Sequence, residues 1–279
     1  MKQGIYAGIS NEEYHGGAGY SKSQLDMVSV APGLLDWSKE APRDNSSAAS
    51  NLGTALHTLL LEPELFSQQF VCEPEGTERR SNVGKANAQL FEDEVKRLGQ
   101  QILKIEDLDM LHAQADSVMA HPEARVLLES KVGKAELSAY WIDPDTGLLC
   151  RCRPDWWAYP EVIVDVKTTD YPAAYPFGKS VMDYRYHVQD AFYTDGCTIA
   201  SGTQIEEFLF LAVGKKREMG RYPVHLHRLA PRAKDLGRAL YRQDLNTIAA
   251  CQDQIGPATG AWPAIEHLDL PAYAYNNQD

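Results

Sequence analysis

On an extended strand, residues two apart share a face. In the short run Glu161-Val-Ile-Val-Asp-Val-Lys167 this puts Asp165 and Lys167 on one side, with Val162, Val164 and Val166 packing on the other. A second acid lies ten residues upstream, in Arg153-Pro154-Asp155. Two carboxylates beside an ammonium group can hold a divalent cation, sharpen a bound water and neutralise charge building on a phosphate. That is the minimum equipment for hydrolysing a phosphodiester. A charge in the middle of an apolar strand is costly unless paired or metal-bound, so Asp165 needs such a partner. Proline disrupts a central ladder, which puts Asp155 at a strand end or bend.

Other residues are candidates to join them. Glu136, in Lys134-Ala-Glu-Leu-Ser-Ala-Tyr-Trp141, alternates against Leu137; it either faces the same cleft or is an ordinary solvent-facing strand residue. His57 sits one helical turn after Gly53, sharing its helix face, and Gly53 would let another backbone come close. A lone histidine on an apolar helix is a common core residue; beside a carboxylate pair it becomes a candidate metal ligand. Gln189 and Tyr193 lie four apart and project together, on a helix that also packs Phe192 inward.

The elements that must position these groups follow from periodicity. After a Gly- and Tyr-rich extended arm (1–20), a helix opens at Ser21-Lys-Ser23-Gln-Leu25 with Ser21 or Ser23 as N-cap, interrupted by Pro32-Gly33. Pro42 to Ser50 is a loop, and a helix from Ala48 to Leu61 is stopped by Glu62-Pro63. Residues 73–84 are polar. Helices follow at about 85–101 and 107–130, the second broken near His121-Pro122. Strands are expected at 135–142, 147–158, 161–168, 206–214 and 223–229, with helices at 183–200 and 231–255 and an irregular tail from Gly256. The fold class is therefore α/β (α+β), a mixed central sheet flanked by helices. It reads as one domain over 1–279: a mostly helical part with His57 (1–130), a catalytic sheet core (131–263) and an irregular tail (264–279).

Composition sets further bounds. The chain has 279 residues, 44% of them hydrophobic, and no apolar run long enough to span a bilayer. The N-terminus lacks a secretion pattern and the five cysteines are odd in number and scattered, which together point to a reduced, cytoplasmic setting. Cys150-Arg-Cys152 has no second pair nearby, so structural zinc is not expected. A net charge of -12 argues against a broad basic surface that coats DNA; a confined groove is the better expectation. Arg79, Arg80, Lys85, Lys179, Arg185, Lys215, Lys216 and Arg217 are candidates to line it, each also readable as a solvated surface charge, and His187 lies near the cleft in the sequence pattern.

Taken in order, Gly53-x-x-x-His57, Glu136, Arg153-Pro154-Asp155, Asp165-Val166-Lys167 and Gln189-x-x-x-Tyr193 resemble the motif set of the RecB-like branch of the PD-(D/E)xK nucleases. Tyr20-Ser-Lys-Ser-Gln-Leu25 and the stretch from Trp37 to Pro42 are similar to RecE-type (exonuclease VIII) nuclease domains; the likeness runs from about Tyr6 to Pro263, and the length suits a stand-alone domain of that type. The resemblance implies that Asp155, Asp165, His57 and the main-chain carbonyl of Val166 bind catalytic magnesium. It implies that Lys167 orients or deprotonates the attacking water and that Glu136 assists at the metal. Gln189 and Tyr193, with Arg153, would contact DNA. Manganese should substitute, since imidazole suits it. The implied activity is digestion of linear double-stranded DNA from 5′ ends, leaving 3′ overhangs for a RecT-type annealing protein, by a toroidal homo-tetramer. An endonuclease or single-strand nuclease on the same fold is one alternative. A non-catalytic DNA-end or recombinase-binding adaptor is another.

Overall fold

A computed structural model describes residues 1–41, 48–74, 77 and 79–252. In chain order the elements are β1 (Gly4–Tyr6), α1 (Asn11–Gly16), α2 (Lys22–Val30), α3 (Leu34–Glu40), α4 (Ala48–Leu61), α5 (Pro63–Gln69), β2 (Phe70–Cys72), α6 (Asn82–Leu98), β3 (Gln101–Leu103), α7 (Ile105–Ala120) and α8 (Pro122–Leu128). There follow β4 (Gly133–Ala135), β5 (Ser138–Ile142), β6 (Leu149–Cys152), β7 (Trp156–Ala158), β8 (Val162–Thr169), α9 (Ala174–Asp183), α10 (Tyr186–Ser201), β9 (Glu207–Gly214), β10 (Val224–His227) and α11 (Pro231–Gln252).

A mixed five-stranded sheet, ordered β10-β9-β8-β7-β4, is the frame. Its centre is the parallel pair β8–β9, which sets Asp165 beside Phe210 and Lys167 beside Ala212. Each face of β8 belongs to a different core, as the alternation of its sequence requires. Val164 and Val166 pack with Leu56, Leu111 and Val118 from α4 and α7. Ile163 packs with Trp141, Phe192 and Tyr241 from β5, α10 and α11. Asp165 and Lys167 share this second side with Ile163.

Several expected elements are divided. The arm over 1–20 contains β1 and α1, because Ser10 accepts from the Glu13 N–H as an N-cap. Ser21 caps α2 as expected, its N–H donating to Gln24 Oε1 at 2.9 Å. Pro63 does more than end α4; it occupies the first turn of α5, where its missing N–H is harmless. α9 was not foreseen. The expected 42–50 loop lies outside the described residues up to 47, with Ala48–Ser50 already helical, and the tail beyond residue 252 lies outside them too. Among the described residues no helix is long and apolar enough to cross a membrane.

The strands expected at 135–142 and 147–158 form one long hairpin bent in the middle. Its outer arms, β4 and β7, pair in the main sheet. Its inner arms, β5 and β6, pair in a second sheet ordered β1-β5-β6. The register is the same on both sides of the bend, and the Glu136 N–H still donates to the Asp155 carbonyl at 3.2 Å. Pro154 has no N–H to give the ladder, and Glu136 adopts φ 52°, so the chain turns there without slipping.

One packing contact fixes α10 on this hairpin. A Cβ at Gly196 would lie 2.3 Å from the Trp141 ring, which is buried and held by Phe192 with centroids 4.8 Å apart. Alanine is favoured over glycine in a helix by about 1 kcal/mol. The overlap wins, because Trp141 has nowhere to move. Gly196→Ala is expected to lose about 1–3 kcal/mol of stability net, read from the midpoint of urea unfolding. An unchanged or raised midpoint would refute the contact.

Candidate active site

The bend in the hairpin, the middle of β8 and one face of α4 meet at a single cavity of about 640 Å³. Glu136 and Arg153 come from the bend, Val166 and Lys167 from β8, and Gly53, Thr54, His57 and Thr58 from α4. Gly53 does not serve a close backbone approach as its type suggests: a Cβ there would meet nothing within 4 Å. It is instead part of the cavity wall.

Asp155, freed from the ladder by the bend, accepts from the Val166 N–H through Oδ2 at 2.7 Å. That bond ties the bend directly to β8. Asp165 is buried; Oδ1 accepts from Gln189 Nε2 at 2.6 Å, and Oδ2 lies 2.6 Å from Lys167 Nζ. Lys167 Nζ also sits 4.8 Å above the Tyr186 ring. His57 Nε2 donates to the Val166 carbonyl at 3.0 Å, which leaves Nδ1 3.5 Å from Asp155 Oδ2. Two lone-pair atoms facing each other like this repel unless a proton or a cation comes between them.

The sequence-predicted residues therefore converge in part. Asp155, Asp165, Lys167, Val166 and His57 form one contiguous cluster, with Glu136 on the cavity wall beside them. Gln189, expected at DNA, is buried and spends its amide on Asp165. Arg153, also expected at DNA, is buried too: Nε donates to Ser138 Oγ, NH1 to Asn11 Oδ1 and NH2 to the Ile9 carbonyl. Its guanidinium stacks 4.0 Å from the Tyr14 ring centroid and lies 3.9 Å from Glu136. With each of its three nitrogens donating to protein, the fork anchors the N-terminal arm while Arg153 also forms part of the cavity wall. Tyr193 is half-buried, edge-on to Phe208. His187 is buried under α10 with Nδ1 on the Val181 carbonyl. Arg185 is held by Asp26 and Asp244, and Arg79 by Glu73 and Glu92. Among the wall residues that escaped the sequence reading are a ring and an acid. Tyr186 lies one turn before Gln189 on the same helix face, and Glu62 looked only like the end of a helix.

Electrostatically the cluster is short of positive charge. Glu136 is pushed up to about 8, first by burial and then by the neighbouring Asp155. Burial also raises Asp165, against the pull of Lys167. Lys167 is held above its ordinary value by Asp165 and Asp155 in spite of burial. Among the described residues no three of His, Cys, Asp and Glu stand ready-formed around a metal position. The donors nevertheless suit a hard divalent cation. Asp165 Oδ2 is buried without a hydrogen bond of proper geometry, and carboxylate and carbonyl oxygens are what magnesium prefers.

The raised carboxylates give a signed expectation. A carboxylate must be ionised to ligate, so uptake of magnesium at Asp165 displaces the proton it holds up to about pH 6. The charge of the ion also draws off the proton that neighbouring Glu136 holds up to about pH 8. Affinity should therefore climb with pH through roughly pH 6–8 and level off above it. Titration calorimetry in buffers of different ionisation heat would show the released protons; a buffer-independent heat would count against the assignment.

Comparisons with known proteins bear on the family and the fold. The family described as "PDDEXK-like domain of unknown function (DUF3799)" matches residues 31–256. A crystal structure described as that of a candidate exonuclease from Eubacterium rectale, at 2.19 Å resolution, superposes with a TM-score of 0.57 at 12% identity, over 98% of this chain and 100% of the other. Among curated proteins none matches in sequence.

Proposed function

Because the chain belongs to the PDDEXK-like family matched over residues 31–256, we propose that it is a magnesium-dependent deoxyribonuclease. The observation that carries this reading is the cluster of Asp155, Asp165 and Lys167, with Lys167 Nζ 2.6 Å from Asp165 Oδ2 and Lys167 opening onto the cavity. Asp155, Asp165, the Val166 carbonyl and His57 would hold the ion. When bound, it lowers the pKa of water and polarises the phosphoryl oxygen. Everything else falls to the chain itself. The Val166 N–H fixes the Asp155 carboxylate, and Gln189 fixes that of Asp165. Lys167, kept protonated by the two acids, presents a fixed positive charge where the phosphate gains negative charge. Glu136, ionising near neutrality, is placed to accept a proton from the attacking water.

Within this class we favour RecE-type end digestion: linear duplex DNA degraded from 5′ ends, with 3′ single strands left for a RecT-type annealing protein in the cytoplasm. The ordered motifs support it, as does the siting of Glu136 and Lys167 on a cavity wall in a chain of net charge -12. A toroidal homo-oligomer would supply the confinement that the acidic surface calls for. The test is degradation of a 5′-labelled linear duplex against a covalently closed circle, with and without magnesium. Loss of the linear DNA from its 5′ ends with the circle intact supports the proposal. A cut circle makes the protein an endonuclease. Binding of ends without cutting of either makes it an adaptor on a nuclease fold.

A further inference from the structure

A second cleft adjoins the catalytic cavity. Its volume is about 530 Å³, and it shares Lys167, Thr168 and Tyr186 with its neighbour. It opens at the carboxyl ends of the parallel strands β8 and β9, where open α/β sheets place their ligands. Lys215, just past β9, and Lys179, on α9, supply charge; Tyr171 and Tyr184 supply rings.

These side chains are unusual in what they leave unused. Tyr171 is 60% exposed and Tyr184 62% exposed. Lys179 and Lys215 have no ion pair among the described residues. Lys179 lies 5.7 Å from the Tyr175 ring centroid, and Lys216 lies 5.6 Å from that of Tyr171, so each of the lining residues Lys179 and Tyr171 has a cation–ring contact with a residue outside the lining. Tyr184 stacks on Tyr186 with centroids 5.5 Å apart, and Tyr186 carries Lys167 on its face. The wall also holds Asp170 and Asp183, so charge alone does not define it. The combination of lysines with open aromatic faces is the chemistry that binds single-stranded nucleic acid: cations follow the phosphates and rings stack on bases of any identity.

We propose that this cleft holds one unpaired DNA strand next to the scissile phosphate, with bases on Tyr171 and Tyr184 and phosphates at Lys179 and Lys215. The inference rests on the nuclease reading and adds the form of the substrate. A cavity of about 530 Å³ is of the size of a small-ligand site. A duplex whose major groove alone is about 12 Å wide does not enter it.

The test is fluorescence anisotropy with a short labelled oligothymidylate in EDTA, where no metal-dependent cutting occurs. Tyr171→Ala/Tyr184→Ala is expected to weaken binding roughly ten- to a hundredfold, the loss of one or two stacked bases. Lys215→Ala should reduce the slope of log affinity against log salt by about 0.7, one single-strand phosphate contact. Lys96→Ala, exposed on α6 away from both cavities, serves as the charge control and should match the wild type. All of these side chains are exposed, so folding is not at stake. Variants that bind like the wild type, or a wild type that does not bind the oligomer, overturn the cleft. If metal-dependent cutting of DNA persists in that case, the nuclease reading survives alone. If the variants lose binding as expected while the wild type cuts no DNA, the cleft stands and the nuclease reading falls.

Discussion

Replacing Lys167 with alanine is expected to lower the rate of metal-dependent DNA cleavage by about a thousandfold, with magnesium affinity undiminished. One positioned donor aimed at developing charge is worth about 10²–10³ in rate. Lys167 should stand at the upper end of that range, because its ammonium is enclosed between Asp165 Oδ2 and the Tyr186 ring. Burial alone would favour the neutral amine; the paired acids outweigh it and keep the charge in place. Removing that charge takes a cation away from the carboxylates, so a divalent ion should bind as tightly as before or more so. Single-turnover cleavage with saturating DNA, beside a magnesium titration, separates the two effects. A variant within tenfold of the wild-type rate would remove Lys167 from the chemistry.

The second large effect is on the fold itself. Arg153→Ala is expected to destabilise the protein by about 3 kcal/mol, the range for breaking a buried, hydrogen-bonded charge. For a chain of this size that lowers the melting temperature by roughly 6–12 °C. The guanidinium joins Ser138 on β5, Asn11 on α1 and the Ile9 carbonyl, and it stacks on the buried Tyr14 ring. Its loss strands the buried Ser138 hydroxyl and unties Asn11 and the Ile9 carbonyl of the arm. The contrary role, a DNA contact, makes the opposite forecast: an unchanged melting temperature and a shallower salt dependence of binding. Scanning calorimetry and a salt series on the same variant decide between them.

Much of the site was legible from local rules. Alternation on β8 put Asp165 and Lys167 on one face, and an apolar strand gave Asp165 a need for company. Pro154 announced the bend that frees Asp155 from the ladder. Helical spacing put His57 on the Gly53 face of its helix and paired Gln189 with Tyr193 on one face of theirs, a pair the resemblance sent to DNA. What local rules do not carry is the partner across the chain. Gln189 was placed on the right face, but its partner lies 24 residues away on β8. Arg153 was expected at DNA, and Arg151 alternates with it on β6 and the bend. They are instead buried against an N-terminal arm more than 130 residues earlier, with Arg151 donating to the carbonyls of His15, Gly17 and Ala18. Strand periodicity also carried straight through Glu136, because the register does, and so concealed the passage between two sheets.

The bent hairpin has a bearing on which length changes the chain can tolerate. Glu136 and Asp155 face each other only because equal lengths of strand run from each of them to the turn between Ile142 and Leu149. Adding one residue to a single inner arm would reverse the alternation of everything between it and the bend. It would leave one of the two acids a full step out of place. Homologous chains that keep the chemistry should therefore vary in length at the turn itself, or in both arms together. A library of single-residue insertions across 137–153, scored for cleavage, should show tolerance concentrated at the tip and a steep loss on either side.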